Sequence, residues 1–154
     1  MTSSARPIVS FALFLLLVMG GGIAIGTLTV PGEWYAGLTK PSFNPPNWIF
    51  GPVWTVLYIF IAIAGWRIWL LTSDKTIKQF WVAQLFLNFS WSPVFFAAEQ
   101  TGIALCIIGL LLATIIAFVV LARRSDRISS LLFIPYALWV GFASLLNGAI
   151  FFLN

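Results

Sequence analysis

The stretch "GIALCIIGLLLATIIAFVVLA" (residues 102–122) runs for 21 residues without one charged side chain. A helix needs about 20 mostly apolar residues to cross a bilayer. A barrel strand would be about 10 residues of alternating polarity, and this run does not alternate. Working outward, four more runs of the same kind appear at 8–30, 46–71, 78–98 and 128–153. The predicted fold is an all-α membrane protein, a five-transmembrane-helix bundle forming one integral membrane domain over residues 1–154. Composition agrees. The 154 residues are 61% hydrophobic and 8% charged, whereas a soluble domain carries about a quarter charged residues.

The first run is long for a cleaved secretory leader, whose apolar core is about 7–15 residues, and no A-x-A site follows it. It is therefore read as a span. Its "GGGIAIG" patch contains Gly22-x-x-x-Gly26, read as close packing within the chain rather than as a dimer face. The connections "TSDKTI", "EQT" and "RRSDR" are short, which makes consecutive helices antiparallel neighbours.

Basic residues set the orientation. Arg6, Arg67, Lys75, Lys78, Arg123, Arg124 and Arg127 fall on one side, and Lys40 alone on the other. The positive-inside rule places the N-terminus in the cytoplasm and the C-terminus outside. So few, terminal charges give no nucleic-acid footprint.

The first long loop is anomalous. "WYAGLTKPSFNPPNWIFGPVW" (residues 34–54) holds six aromatics and four prolines, and its one formal charge is Lys40. Prolines remove backbone entropy in advance, so a loop can hold a shaped aromatic surface without regular structure. It is read as a lid, with Lys40, Pro41, Phe43, Pro45 and Pro46 as its principal residues. Lys40 is either a partner for a ligand carboxylate at the rim or a snorkelling, solvated lysine.

Three spans carry matching stripes. Trp81, Gln84, Asn88, Trp91 and Phe95 are spaced 3, 4, 3, 4 on the third span, hence on one helical face. Pro135, Trp139, Ala143 and Asn147 repeat every four on the fifth, and Trp54, Tyr58, Ile61 and Gly65 line a face of the second. Counted from the outer ends at ~1.5 Å per residue, Trp54, Asn147 and Trp91 lie ~8–10 Å deep, Asn88 and Ala143 ~15 Å, and Trp139 ~21 Å. All but Trp139 fall in the outer half, beneath the loop. Trp34, Trp48, Trp66, Trp69 and Trp81, near span ends, read as an interfacial belt. Gln84 reads as interhelical hydrogen-bond glue. Trp91 and Trp139 are too deep for a belt, and their indole N–H groups call for partners such as Asn88 or Asn147. A lined pocket and simple helix glue both remain open on this evidence. Pro93 and Pro135 would kink their helices and widen any cavity between them.

No carboxylate lies inside a span, which disfavours a proton-coupled pump. Histidine is absent and Cys106 is alone, so neither metal nor acid–base chemistry has its residues. A tetrapyrrole would be stacked rather than ligated, because haem iron would lack its usual axial ligands.

"EWYAGLTKPSFNPPNWIFGPVW", "AQLFLNFSWSPVFF" and "PYALWVGFASLLN" together resemble the tryptophan-rich sensory protein / translocator protein (TspO/MBR, peripheral-type benzodiazepine receptor) family, in order and spacing over essentially the whole chain. The resemblance implies a five-helix fold, usually a homodimer, with a pocket under the first loop for porphyrins. In animal relatives it also implies cholesterol and synthetic drugs. By position it implies a ligand-binding set of Tyr35, Trp54, Tyr58, Asn88, Trp91, Trp139, Ala143 and Asn147. Phe43 stands where many members have Trp. "LLNGAIFFLN" lacks the Tyr and basic residue of the animal sterol-recognition stretch, so sterol binding by that element is not supported. The expected function is a receptor or sensor for protoporphyrin-like tetrapyrroles in a bacterial cell membrane, with porphyrin as ligand and no required cofactor. The alternatives are a passive porphyrin carrier or exporter and a light-dependent porphyrin-degrading enzyme.

The orientation is testable by single-cysteine labelling after removal of Cys106. A cysteine placed in "SDKT" should resist an impermeant thiol reagent applied outside intact cells, and labelling there would reverse the assignment.

Overall fold

The computed structural model describes residues 5–154, with side chains from Pro7 onward; the side chain of Arg6, used in the orientation argument, lies outside the described residues. Helix α1 (Pro7–Leu28) is followed by a short loop helix α2 (Glu33–Gly37), then α3 (Asn47–Leu71), α4 (Lys75–Ala97), α5 (Thr101–Ser125) and α6 (Arg127–Leu153). Among the described residues, the five long helices are apolar and long enough to cross a membrane. They match the five predicted runs.

Local chemistry sets the helix ends. Asp74 caps α4 by accepting from the Thr76 N–H at 2.8 Å, so α4 starts three residues before the apolar run does. Asp126 caps α6, accepting from the Ser129 N–H at 3.3 Å and its hydroxyl at 2.6 Å. Pro93 cannot donate to the helix ladder, and α4 widens there into a π-helical turn, Pro93–Ala97. A second π-turn, Leu16–Gly20, lies within α1. Pro135 instead sits within an unbroken α6.

The five long helices close into a ring. α3 packs against α1 and α6, α6 against α5, α5 against α4, and α4 returns to α1. The backbones of α3 and α4, although joined by a short loop, stand farther apart than those of α5 and α6. The indole of Trp81 lies between α3 and α4. It is 2% exposed, its Nε1–H donates to the Ile61 carbonyl at 3.0 Å, and its ring lies against Gly65, where any Cβ would collide with it. Trp81 is therefore a core residue, not a member of the interfacial belt. Its position near a span end is offset by the missing side chain opposite, which opens a slot for the whole ring. Trp66 donates to Ser10 at 3.1 Å, tying α3 to α1, while Trp48 is 73% exposed.

At one end of the bundle Arg67 makes a two-pronged bond to Asp126, Nε to Oδ2 at 2.8 Å and Nη2 to Oδ1 at 2.9 Å. This joins α3 to the α5–α6 turn. At the other end the Asn154 side chain clasps Thr39 in the first loop, donating to its carbonyl at 3.0 Å and accepting from its N–H at 2.9 Å. Helix α6 has 27 residues, ~40 Å at 1.5 Å per residue, which exceeds a ~30 Å hydrocarbon core.

The guanidinium of Arg67, aided by Ser129, holds the Asp126 carboxyl at about 2, below its ordinary 3.8, against the opposing effect of burial. A depressed carboxylate stabilises the fold fully above its unfolded value and ceases to do so as pH falls through its folded value. The contribution at neutral pH is on the order of 2 kcal/mol. Thermal unfolding in detergent should therefore show Asp126→Asn less stable than the parent at pH 7, with the gap closing between about pH 4 and pH 2. A gap that persists at pH 2 would mean the ion pair is not its source.

Candidate functional site

The ring of helices leaves an internal cavity of ≈ 670 Å³ under the first loop, within the ~300–1,000 Å³ typical of small-molecule sites. Tyr35, Trp54, Tyr58, Asn88, Trp91, Trp139, Ala143 and Asn147 all line it. Among the described residues, no Asp, Glu, Lys or Arg does.

The stripe on α4 provides the framework. Trp91 stacks on Phe95, one turn away, with ring centroids 5.1 Å apart at 28°. The π-turn after Pro93 begins between these two rings, and Tyr35 of α2 packs edge-on against both Phe95 and Phe96. Trp91 Nε1 donates to Asn147 Oδ1 at 3.0 Å, and Asn147 Nδ2 donates to the Thr101 carbonyl at 2.9 Å. That pair links α4, α6 and the start of α5. Asn147 thus supplies the acceptor that Trp91 needs.

Asn88 has different partners. Tyr58 donates to its Oδ1 at 3.3 Å, its Nδ2 donates to the Tyr136 hydroxyl at 2.7 Å, and Tyr136 donates to Gln84 Oε1 at 2.9 Å. This one-directional chain runs from the cavity wall into the core across α3, α4 and α6. Gln84, fully buried, joins helices as the glue reading required. Its Nε2 has no partner among the described residues.

Trp139 also lacks an indole partner. Its ring sits 5.7 Å from that of Phe50, in the first helical turn of α3.

The first loop contributes differently from expectation. Asn44 and Asn47 line the cavity, whereas Lys40, Pro41, Phe43, Pro45 and Pro46 do not. Lys40 donates to the Tyr35 carbonyl at 2.6 Å and more loosely to those of Leu38 and Ala36, with its ammonium 4.5 Å from the centre of the Tyr35 ring. It caps the carbonyl end of α2 and is neither free for a ligand carboxylate nor merely solvated. Phe43 is 51% exposed and leans toward Phe142. Burial pushes the Tyr35 hydroxyl above its ordinary pKa, with the adjacent Asn44 amide partly offsetting this.

Sequence reasoning missed one wall. Met19, Gly22, Ile23 and Gly26 of α1 face the cavity. The Gly22-x-x-x-Gly26 spacing was the available signal, and close packing within the chain is what Gly22 does: a Cβ there would strike the Tyr58 ring. Tyr136 was missed because it falls off the four-residue stripe of α6.

Gly22→Ala should therefore displace Tyr58 and lengthen its bond to Asn88. The expected cost is ~1–3 kcal/mol of overpacking, read as a lower unfolding temperature in detergent. Gly26→Ala, with nothing within 4 Å of its added carbon, should be close to neutral.

The model of the TspO/MBR family matches residues 13–153. The chain is 41% identical over 145 residues to the tryptophan-rich protein TspO of Archaeoglobus fulgidus, covering 91% of this chain and 94% of that one. It is 34% identical to protein CrtK of Rhodobacter capsulatus, covering 94% and 92%. To the human translocator protein it is 36% identical, covering 82% and 79%. With five membrane-length helices and a family match over most of its length, the chain is an integral membrane protein and belongs to the TspO/MBR family.

Proposed function

We propose that the protein is a membrane receptor or sensor that binds a protoporphyrin-like tetrapyrrole in the cavity beneath its first loop. The observation that carries this reading is the cavity lining: five Trp and Tyr side chains, the amides of Asn88 and Asn147, and no ionised group. A flat apolar macrocycle gains from aromatic faces at ~0.5–1.5 kcal/mol each beyond burial. With no cation in the lining and Lys40 already satisfied by carbonyls, ligand carboxylates would project from the mouth into water. A charge buried without a partner is strongly disfavoured. The kinship with a tryptophan-rich TspO protein and with the human translocator protein supports a ligand-binding membrane role. The asymmetry of Lys and Arg supports a bacterial cell membrane with the cavity mouth facing outward.

Titration of the purified protein with protoporphyrin, followed by tryptophan quenching, tests the reading. Trp54→Leu and Trp139→Leu should each weaken binding about tenfold, or ~1.4 kcal/mol. Trp69→Leu, at the opposite end beside Phe14 and Lys78, should change it little. Ala143→Thr should weaken binding more than Ala113→Thr on α5. If the parent protein is not quenched, or Trp69→Leu is as damaging as Trp54→Leu, the cavity is not a porphyrin site.

A further inference from the structure

A second hollow lies outside the ring. It is a groove of ≈ 590 Å³ between α3 and α6, lined by Pro52, Val53, Val56, Leu57, Phe60, Pro135, Leu138, Trp139 and Phe142. Its lining is wholly apolar in residue type, and Val56 and Leu138 on its walls are 47% and 71% exposed. On a membrane-spanning helix pair such a surface faces lipid. The groove and the internal cavity share one lining residue, Trp139. Between groove and cavity, the Trp139 indole is thus the shared wall.

That indole is held differently from its counterparts. Trp66, Trp81 and Trp91 each donate their ring N–H to a named acceptor on another helix. Trp139 Nε1, though buried, has no acceptor among the described residues. Its ring contacts are the edges and faces of Phe50 and Phe142, at 5.7 and 5.6 Å. Aromatic contacts of this kind have little directional stiffness beside a hydrogen bond in lipid. The groove is also bordered by Pro52 and Pro135, one on each helix. Each removes a backbone N–H from its helix, the usual point at which a membrane helix bends.

We propose that Trp139 is a lateral gate, and that ligands dissolved in the bilayer, uncharged and apolar over the part that enters, pass through the α3–α6 groove into the cavity when its indole swings aside. The closed gate is the conformation described above. A bilayer-dissolved ligand fits both compartments, because neither lining contains a formal charge. A route from lipid also suits a roof clasped by Asn154, since the loop can stay in place during entry.

The test does not depend on porphyrin. In a Cys106→Ser background, Ala143→Cys places a thiol on the cavity wall one turn from Trp139. In liposomes it should react with the membrane-dissolved N-pyrenylmaleimide. Filling the groove from its lipid face with Val56→Trp or Leu138→Trp should slow that reaction about tenfold, since a blocked route changes rates. Leu145→Trp, a lipid-exposed position on α6 outside the groove, should leave it unchanged. Two groove variants are used so that misfolding of one does not decide the matter. A second arm rests on the proposed function: for protoporphyrin dimethyl ester delivered in the same liposomes, both groove variants should slow association and dissociation alike, with affinity within about twofold. Labelling indifferent to both groove variants, or a charged water-soluble maleimide reacting as fast as the pyrenyl one, would overturn the gate and make the mouth under the loop the route. Slowed labelling without porphyrin quenching would retain the gate and reject the porphyrin reading.

Discussion

One amide orders this bundle. In lipid, apolar side chains gain little by leaving hydrocarbon for one another, so close packing and paired polar atoms decide how helices meet. Asn88 accepts from Tyr58 on α3 and donates to Tyr136 on α6, which in turn donates to Gln84 one helical turn below Asn88. Two neighbouring positions of α4 thereby set the height of two other helices. Further interhelical bonds of α4 agree with that register: Trp81 to the Ile61 carbonyl below, Trp91 to Asn147 above, and the Ser92 hydroxyl with that of Thr29 just past α1. A shift of α4 by one residue would break all of them together.

The cavity follows from the same economy of shape. Glycines face rings across the helix contacts, Gly65 against Trp81, Gly22 against Tyr58, and Gly21 against Phe89. Where a glycine meets a ring, the helices are filled and fixed. Above Asn88 the rings of Trp91, Phe95, Phe96 and Tyr35 pack against one another instead, beside the π-turn of α4. Rigid planar side chains cannot collapse into the space so formed, which is why it persists beneath the loop.

Much of this was legible in the sequence, for identifiable reasons. Hydropathy marks five spans because a bilayer demands them, and residues on one face of α4, such as Asn88 and Trp91, were found by their spacing. Helix ends were misplaced where capping rather than hydropathy decides: α4 starts at Lys75 behind Asp74, and α5 runs to Ser125 through two arginines. The Gly22-x-x-x-Gly26 spacing signals close packing but not against which helix, because the ring order is a tertiary outcome, and Tyr136 lies off the four-residue stripe of α6. Trp81 was misread because its slot is made by Gly65, sixteen residues away in sequence.

The clasp between Asn154 and Thr39 bears on the order of assembly. The two residues are 115 positions apart, and a chain emerges from the ribosome N-terminal end first. The first loop is therefore synthesised and translocated well before the residue that fastens it. Helices α1, α3 and α4 can insert and pair while the space above Asn88 remains unroofed, and the roof sets only after α6 has crossed and its last turn has reached the loop. Any molecule retained beneath that roof during synthesis would be enclosed only when α6 arrives, so enclosure waits on a helix made long after the loop it fastens.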